Sequence, residues 1–290
     1  MQQQLNELLE GGIIVIDKPV GPTSFDTVDF VRQILRIEKA GHSGTLDPKV
    51  SGVLPIALNR STRVLELMLV LPKEYVGVMR LHSDVSIEEI REKIKERFSG
   101  KISQLPPRKS AVKRQERERE VYEFELLEKE GPDVLFRVKC EAGTYVRKLV
   151  HDLGLALGIT AHMSELRRTA VGNFSEKSCI TLYELSNAYE EAEGGKVEEL
   201  KKVILPAELA AAHLPKAMMK KDALAKARHG KFLVRKDFLT LEKTEKINPL
   251  SQSAHRQEYI AGFFEKKLVC LLRSVQRDGV KLFKPDKVFI

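Results

Sequence analysis

At 290 residues, with 42% of them hydrophobic, the chain is long enough for one large domain and one small one. Lys and Arg number 49 against 41 Asp and Glu, and the resulting +8 favours a polyanionic partner. No apolar run approaches the ~20 residues of a membrane span, and the first residues lack the basic and apolar regions of a signal peptide. Cys140, Cys179 and Cys270 are distant and odd in number, which excludes a paired disulfide framework or a cysteine metal cluster and fits a reducing, cytoplasmic compartment.

Ile13-Ile14-Val15-Ile16 is a β-branched run that predicts a strand. Lys18-Pro19-Val20-Gly21-Pro22-Thr23-Ser24 breaks it. Thr23 and Ser24 are candidate caps for a helix with Phe25, Val28, Val31, Ile34 and Leu35 at its apolar positions. Next comes the most informative stretch, Gly41-His42-Ser43-Gly44-Thr45-Leu46-Asp47-Pro48-Lys49-Val50-Ser51-Gly52. It sets a single acid, Asp47, in a loop with three glycines and a proline. Pro48 biases Asp47 toward extended backbone, and the apolar run Val53–Leu58 predicts a buried strand that anchors the loop. A carboxylate so presented is a candidate nucleophile or general base, although Asp-Pro alone is equally a turn dipeptide.

The spacing predicts a helix from Ile87 to Phe98, capped by Ser86, with Ile87, Ile90 and Ile94 as its stripe and Gly100 as its stop. Arg108, Lys109, Lys113, Arg114, Arg117 and Arg119 place six cations in twelve residues, diluted by Glu116, Glu118 and Glu120. A charged helix with i,i+4 pairs is one reading; Pro106 and Pro107 favour a loop. Val134, Phe136, Val138 and Cys140 alternate as in a strand, and Val146, Leu149, Val150 and Leu153 mark a following helix. Strands and helices mix without a βαβ repeat, so the expected class is α+β. An acidic helix-like stretch runs from Glu190 to Glu199 across Gly194-Gly195, and the domain boundary is expected near Ala212, dividing 11–212 from 213–290. Beyond it, Leu268–Leu272 and Val280–Phe283 read as strands, and the polar run Lys236–Gln257 as a long loop or insert.

The Gly41–Gly52 stretch, Lys18–Ser24 (Lys-Pro-x-Gly-x-Thr-Ser), Lys73-Glu74-Tyr75-Val76-Gly77, Gly143-Thr144-Tyr145-Val146-Arg147-Lys148-Leu149 and Ser164-Glu165-Leu166-Arg167-Arg168 together resemble the TruB-type pseudouridine synthases. Lys-Val-Ser-Gly after Asp47-Pro48 and Pro-Pro-Arg-Lys-Ser-Ala-Val-Lys-Arg at 106–114 are similar to the dyskerin branch, the catalytic subunit of box H/ACA guide-RNA particles. The resemblance implies a pseudouridine-synthase fold, a mixed and largely antiparallel sheet with flanking helices and loops. It implies isomerisation of uridine in RNA with no cofactor and no metal. Asp47 would attack the uridine, Tyr75 would stack on the base with its phenol near C5, and Arg147 would pair with Asp47 and keep it ionised. Leu166 would form an apolar wall, Lys18 would brace the catalytic loop, and His42 would touch the RNA backbone. Arg167 and Arg168 would serve nearby phosphates, and residues 104–114 would start an RNA-gripping thumb.

Leu214-Pro215-Lys216, Ala227-Arg228-His229-Gly230 and Asp286-Lys287-Val288-Phe289-Ile290 resemble a PUA domain, a small RNA-binding β-barrel, in which His229 and Gly230 would approach the ACA end of the guide. The implied partners are substrate rRNA or tRNA, an H/ACA guide RNA, and three proteins: a small zinc-ribbon-like one, a Gar-type one and a kink-turn-binding one. The dyskerin-like motifs without long basic tails point to an archaeal source, with a nucleolar place if the chain is eukaryotic. Two other readings stay open: a stand-alone synthase for a tRNA T-loop uridine, and a non-catalytic RNA-binding scaffold.

Overall fold

The computed structural model describes residues 2–107, 113–242 and 259–289. Contacts divide the chain into Met1–Leu205 and Pro206–Ile290. The first unit runs α1 (Gln2–Leu9), β1 (Ile13–Lys18), α2 (Ser24–Leu35), β2 (Ala40–His42), β3 (Ser51–Leu58), α3 (Leu65–Leu69), β4 (Lys73–Leu81), α4 (Ile87–Arg97), β5 (Gly100–Gln104), β6 (Arg117–Glu130), β7 (Asp133–Cys140), α5 (Val146–Ala156), β8 (Ala161–Val171), β9 (Phe174–Ser175), β10 (Cys179–Ile180), α6 (Leu182–Glu193) and α7 (Glu198–Val203). Its strands form one sheet in the order β10-β1-β3-β8-β4-β7-β6-β5, with β2 beside β3 and β9 beside β8. The β1/β10 and β3/β8 pairs are parallel and the rest antiparallel, which is the mixed, mostly antiparallel architecture expected of an α+β chain.

Local sequence explains these elements. Thr23 caps α2 by accepting from the Asp26 amide while the Asp26 carboxylate accepts from the Thr23 amide. The buried positions Ser24, Thr27, Val28, Val31 and Leu35 follow one helical face. Phe25 lies off that face and is 71% exposed, contrary to its expected place in the stripe. Along β7 every second residue is buried. Val134, Phe136, Val138 and Cys140 pack with Ile90 and Ile94 of α4 and with Leu149, Val150 and Leu153 of α5. A second core joins Ile14 and Ile16 of β1, Leu54 and Ile56 of β3, Val28 and Val31 of α2 and Leu185 of α6. Leu5 and Leu9 of α1 close it, so the folded unit begins before residue 11.

Three further segments differ from expectation. Gly194 caps α6 and α7 starts at Glu198, so the glycine pair splits the acidic stretch. Leu205 pairs with Ile13 of β1, and this holds it to the first unit, while the alanine run after Pro206 goes with the second. The charged segment after β5 is neither all loop nor helix. Gln104 pairs with Arg117 and Ile102 with Arg119, so Arg117 and Arg119 already belong to a β-ribbon; Arg108 and Lys109 lie outside the described residues.

In the second unit, β11 (Lys216–Met219), α8 (Ala223–Arg228), β12 (Phe238–Leu241), β13 (Tyr259–Phe264), β14 (Lys267–Arg277) and β15 (Val280–Val288) follow in order. The sheet order is β12-β11-β13-β14-β15, and Ala223 and Ala227 of α8 pack on its buried face. Among the described residues this sheet does not close into a barrel. The start of the polar run, expected as loop, forms β12, and residues 243–258 lie outside the described residues.

Gly52 decides how the strand that follows the Asp47 loop meets its neighbour. It pairs with Arg168 across the parallel β3/β8 contact at φ +106°, and a Cβ there would lie 2.2 Å from the Arg168 carbonyl oxygen. Gly131, in the β6–β7 turn at φ +53°, has open space around it. Gly52→Ala is therefore expected to cost more than about 2 kcal/mol, and Gly131→Ala about 1 kcal/mol. Thermal unfolding of both variants checks the ranking; equal losses would contradict it.

Candidate active site

The loop between β2 and β3 is pinned from below along its length. The Gly21 amide donates to the Pro48 carbonyl at 2.8 Å and the Ser43 amide to the Pro55 carbonyl at 3.0 Å. The Ser24 hydroxyl donates to the Leu46 carbonyl at 3.1 Å and accepts from the Leu46 amide at 2.7 Å. The Val50 amide closes a turn on the Asp47 carbonyl at 2.9 Å. Lys18 is fully buried, and its Nζ donates to the Pro19 carbonyl at 2.7 Å and the Pro22 carbonyl at 2.9 Å. It shapes the segment that holds the loop. This matches the bracing role expected of it, and a side chain without exposed surface does not meet RNA.

Asp47 emerges from this scaffold with its side chain 47% exposed. Arg147, in the first turn of α5 and 61% exposed, brings Nη2 to 2.6 Å from Asp47 Oδ2. The sequence places these residues 100 positions apart; the fold pairs them.

Tyr75 sits on β4 between two strands. Its partner on β7 is Val138 and its partner on β8 is Arg168. Two residues along, Gly77 pairs with Leu166, whose side chain packs on the same core as the half-buried Tyr75. Burial pushes the Tyr75 phenol up; the Arg168 cation and its hydrogen bond oppose that, while Cys140 and Asp47 add to it. The Asp47 charge is felt by both Tyr75 and Lys18, so these groups share one neighbourhood.

His42 is half-buried, and its Nδ1 accepts from the Gly44 amide at 3.2 Å, which leaves Nε2 as a donor. Burial, then the Arg168 cation, lowers its pKa and keeps the ring neutral.

The two adjacent arginines on β8 face opposite ways: Arg168 is sealed off from phosphate, while Arg167 is partly exposed but already paired. Arg168 is 1% exposed, its Nε donating to the Val53 carbonyl at 2.8 Å and its Nη2 to the Gly44 carbonyl at 3.1 Å. Arg167 grips both carboxylate oxygens of Asp17 at 2.9 Å and takes Glu176 Oε1 at 2.6 Å. Two carboxylates already answer its charge. The period-two alternation of a strand is the signal that separates the pair; what each meets comes from Asp17, Gly44, Val53 and Glu176, far away in sequence. Lys113 and Arg114 are exposed just before β6, and His229 and Gly230 are exposed at the C-terminal end of α8. Among the described residues no group of three or more His, Cys, Asp or Glu side chains converges as a metal site.

Two family models match the chain: TruB family pseudouridylate synthase (N terminal domain) over residues 32–146, and tRNA pseudouridylate synthase B C-terminal domain over residues 147–212. The chain belongs to the TruB family of pseudouridine synthases. As a TruB-family member it is an enzyme, an RNA isomerase. "Probable tRNA pseudouridine synthase B" of Methanothermobacter thermautotrophicus is 53% identical over 225 residues, 77% of this chain and 69% of that protein. The protein of the same name from Pyrococcus furiosus is 54% identical over 224 residues, 77% of this chain and 66% of that one. Among solved structures, Cbf5 in a Cbf5-Nop10-Gar1 complex superposes with a TM-score of 0.88 at 45% identity, covering 99% of this chain and 87% of that one. An H/ACA RNP bound to a substrate RNA containing 2'-deoxyuridine gives a TM-score of 0.85 at 42% identity, with 99% and 87% covered. No helix among the described residues is long and apolar enough to cross a membrane.

His42 supplies a pH test. Its folded pKa lies below the ordinary value near 6.5, so the neutral ring stabilises the fold above that value. That contribution is lost as pH falls from about 6.5, because the unfolded chain takes up the proton first. The thermal midpoint of His42→Asn is expected to fall less between pH 7 and 5.5 than that of the parent chain; an equal fall would contradict this.

Proposed function

We propose that this TruB-family chain is the catalytic subunit of a guide-directed enzyme that converts selected uridines of RNA to pseudouridine. The observation that carries the reading is the Asp47–Arg147 ion pair at 2.6 Å, on a pinned, half-exposed loop that shares its electrostatic neighbourhood with Tyr75. Asp47 attacks the target uridine, the N1–C1′ bond breaks, the base turns, C5 joins C1′, and the bond to the carboxylate breaks to release free Asp47. The C5 proton leaves to a base, and N1 takes up a proton from solvent. No atom is gained or lost overall. Tyr75 and Leu166 form the platform for the extruded base. Stacking on an aromatic ring is worth ~1–3 kcal/mol per base and offsets much of the few kcal/mol that extrusion costs. Arg147 orients the carboxylate, as a guanidinium does better than an ammonium.

The first unit is the catalytic domain. The second, with its five-stranded sheet, is proposed as a PUA-like RNA-binding module whose exposed His229 and Gly230 face the ACA end of a guide. Likeness to Cbf5 solved with Nop10 and Gar1 supports equivalent small protein partners, and a kink-turn-binding protein completes the proposed particle. The archaeal source of the relatives and the three free cysteines support a cytoplasmic place. Lys113 and Arg114, before β6, are proposed to meet RNA backbone, and His42 to do so beside the target. Base pairing with the guide then selects the uridine, and the protein reads shape and backbone.

A second reading has its own support: the curated relatives at 53–54% identity carry the name tRNA pseudouridine synthase B. Mass spectrometry of tRNA and rRNA after incubation with the chain alone, and with guide RNA and partner proteins, separates the two. Product that requires the guide supports the first reading; efficient modification of bare tRNA by the chain alone overturns it in favour of the second. In either setting Asp47→Ala is expected to abolish product and leave RNA affinity within a few-fold, since phosphate contacts supply most of the binding. Pseudouridine formed by that variant would remove Asp47 from the chemistry.

A further inference from the structure

Among the described residues Arg168 is the largest fully buried side chain. Among the described residues no carboxylate makes an ion pair with it. Its guanidinium donates to the Val53 carbonyl and to the Gly44 carbonyl, and across the β4/β8 pairing Arg168 stands beside Tyr75, whose phenol feels its charge. A cation stripped of water with only neutral oxygens around it is an expensive arrangement. An apolar side chain would fill a β8 position at less cost, so the guanidinium is kept for what it touches.

The three contacts have a common destination. Gly44 lies three residues before Asp47 and Val53 six residues after it, so two donors hold both limbs of the loop that carries the acid. The third contact is with the cross-strand partner Tyr75 on β4. One planar group thus lies between the Asp47 loop and the phenol's strand. Arginine has no acceptor, so towards Tyr75 it acts only as a donor, and a cation beside the phenol oxygen favours its ionised form.

We propose that Arg168 is a positioning residue for the isomerisation: its guanidinium sets the Tyr75 phenol against the Asp47 loop and supplies the positive charge that lets the phenol oxygen receive the C5 proton. This rests on the reading of Tyr75 as the residue at the target base. In the step concerned, the C5–H bond breaks, the proton passes to the phenolate oxygen, and the electron pair restores the C5=C6 double bond. The phenol then returns its proton to water. Burial alone pushes the phenol up, and Arg168 is the foremost influence against it. The other groups that face the phenol are Cys140 on β7 and Asp47. Burial pushes the Cys140 thiol up to about 12, so it stays neutral near pH 7. Lys18 on β1, His42 on β2 and Cys179 on β10 face Arg168 itself.

The test is single-turnover release of tritium from RNA with a 5-tritiated target uridine, from pH 6 to 9.5. It uses the full chain assembled with guide RNA and partner proteins, or acting on tRNA if that is its substrate. Arg168→Met is expected to slow release about tenfold to a hundredfold, the weight of one charge-assisted hydrogen bond, with RNA affinity unchanged. Its rising pH limb is expected to move up by about one unit. Arg168→Lys, which keeps the charge and loses the fork, should be slow with the limb in its original place. Should Arg168→Met fail to fold, Arg168→Gln carries the same comparison. A limb at the same pH with and without the cation overturns the proposal, because a merely structural bolt would lower the rate without moving it. Tyr75→Phe separates the two layers: a wild-type rate there overturns the role of Tyr75 itself, whereas an impaired Tyr75→Phe with an unmoved limb in Arg168→Met overturns only the role of Arg168.

Discussion

Under the proposed function, the Asp47 carboxylate must be open to a macromolecular substrate and still be held in one direction, and these demands conflict. Burial would fix Asp47 but seal it off; exposure leaves a loop free to wander. The fold resolves the conflict by separating the two tasks. Asp47 keeps about half of its surface in solvent and touches Arg147, while every restraint on the loop comes from backbone bonds and buried side chains beneath it. The Ser24 hydroxyl, the Gly21 amide and the Arg168 guanidinium act on Leu46, Pro48 and Gly44, leaving the carboxylate itself to Arg147. Exposed ion pairs are worth little to stability, so the Asp47–Arg147 contact is best understood as directional rather than as a support of the fold.

The same division changes the meaning of the positive charge. The chain carries +8, and a basic balance suggests a surface for phosphate. Several of its cations are internal fittings. Lys18 satisfies two carbonyls of the segment before α2, and Lys73 donates to the Leu69 and Leu71 carbonyls at 2.7 Å. Arg168 ties together the catalytic loop, β3 and β4, and Arg167 is held by two carboxylates. Each occupies a place where a chain bend leaves carbonyl oxygens unpaired or two strands meet a loop. Under the proposed function, the electrostatic pull on RNA falls to exposed cations such as Lys113 and Arg114 before β6.

Much of the first unit was legible because short-range patterns determine it. The alternation in β7, the apolar run of β3 and the stripe of α5 are periodic over five or more residues, and burial only confirms what the period states. The pairing of Asp47 with Arg147 was legible through family resemblance, not through spacing, since 100 residues separate them. The fate of Arg167 and Arg168 was hidden for the same reason: adjacent on a strand, they enter different surroundings made by distant segments. Helix α1 is not evident from its sequence because Leu5, Leu8 and Leu9 among polar residues make a weak stripe, yet Leu5 and Leu9 close a core and Leu8 packs against it. In the second unit, β11 and β12 are four residues each, too short for alternation to stand out from a polar background.

The central claim is that the guanidinium of Arg147 directs the Asp47 carboxylate and does not merely supply charge. Single-turnover pseudouridine formation by Arg147→Lys, measured beside its RNA affinity, tests it most directly. The account predicts unchanged RNA affinity and chemistry slowed by about tenfold or more, because an ammonium on a flexible stem orients a carboxylate poorly. Chemistry at the parent rate in Arg147→Lys would contradict it.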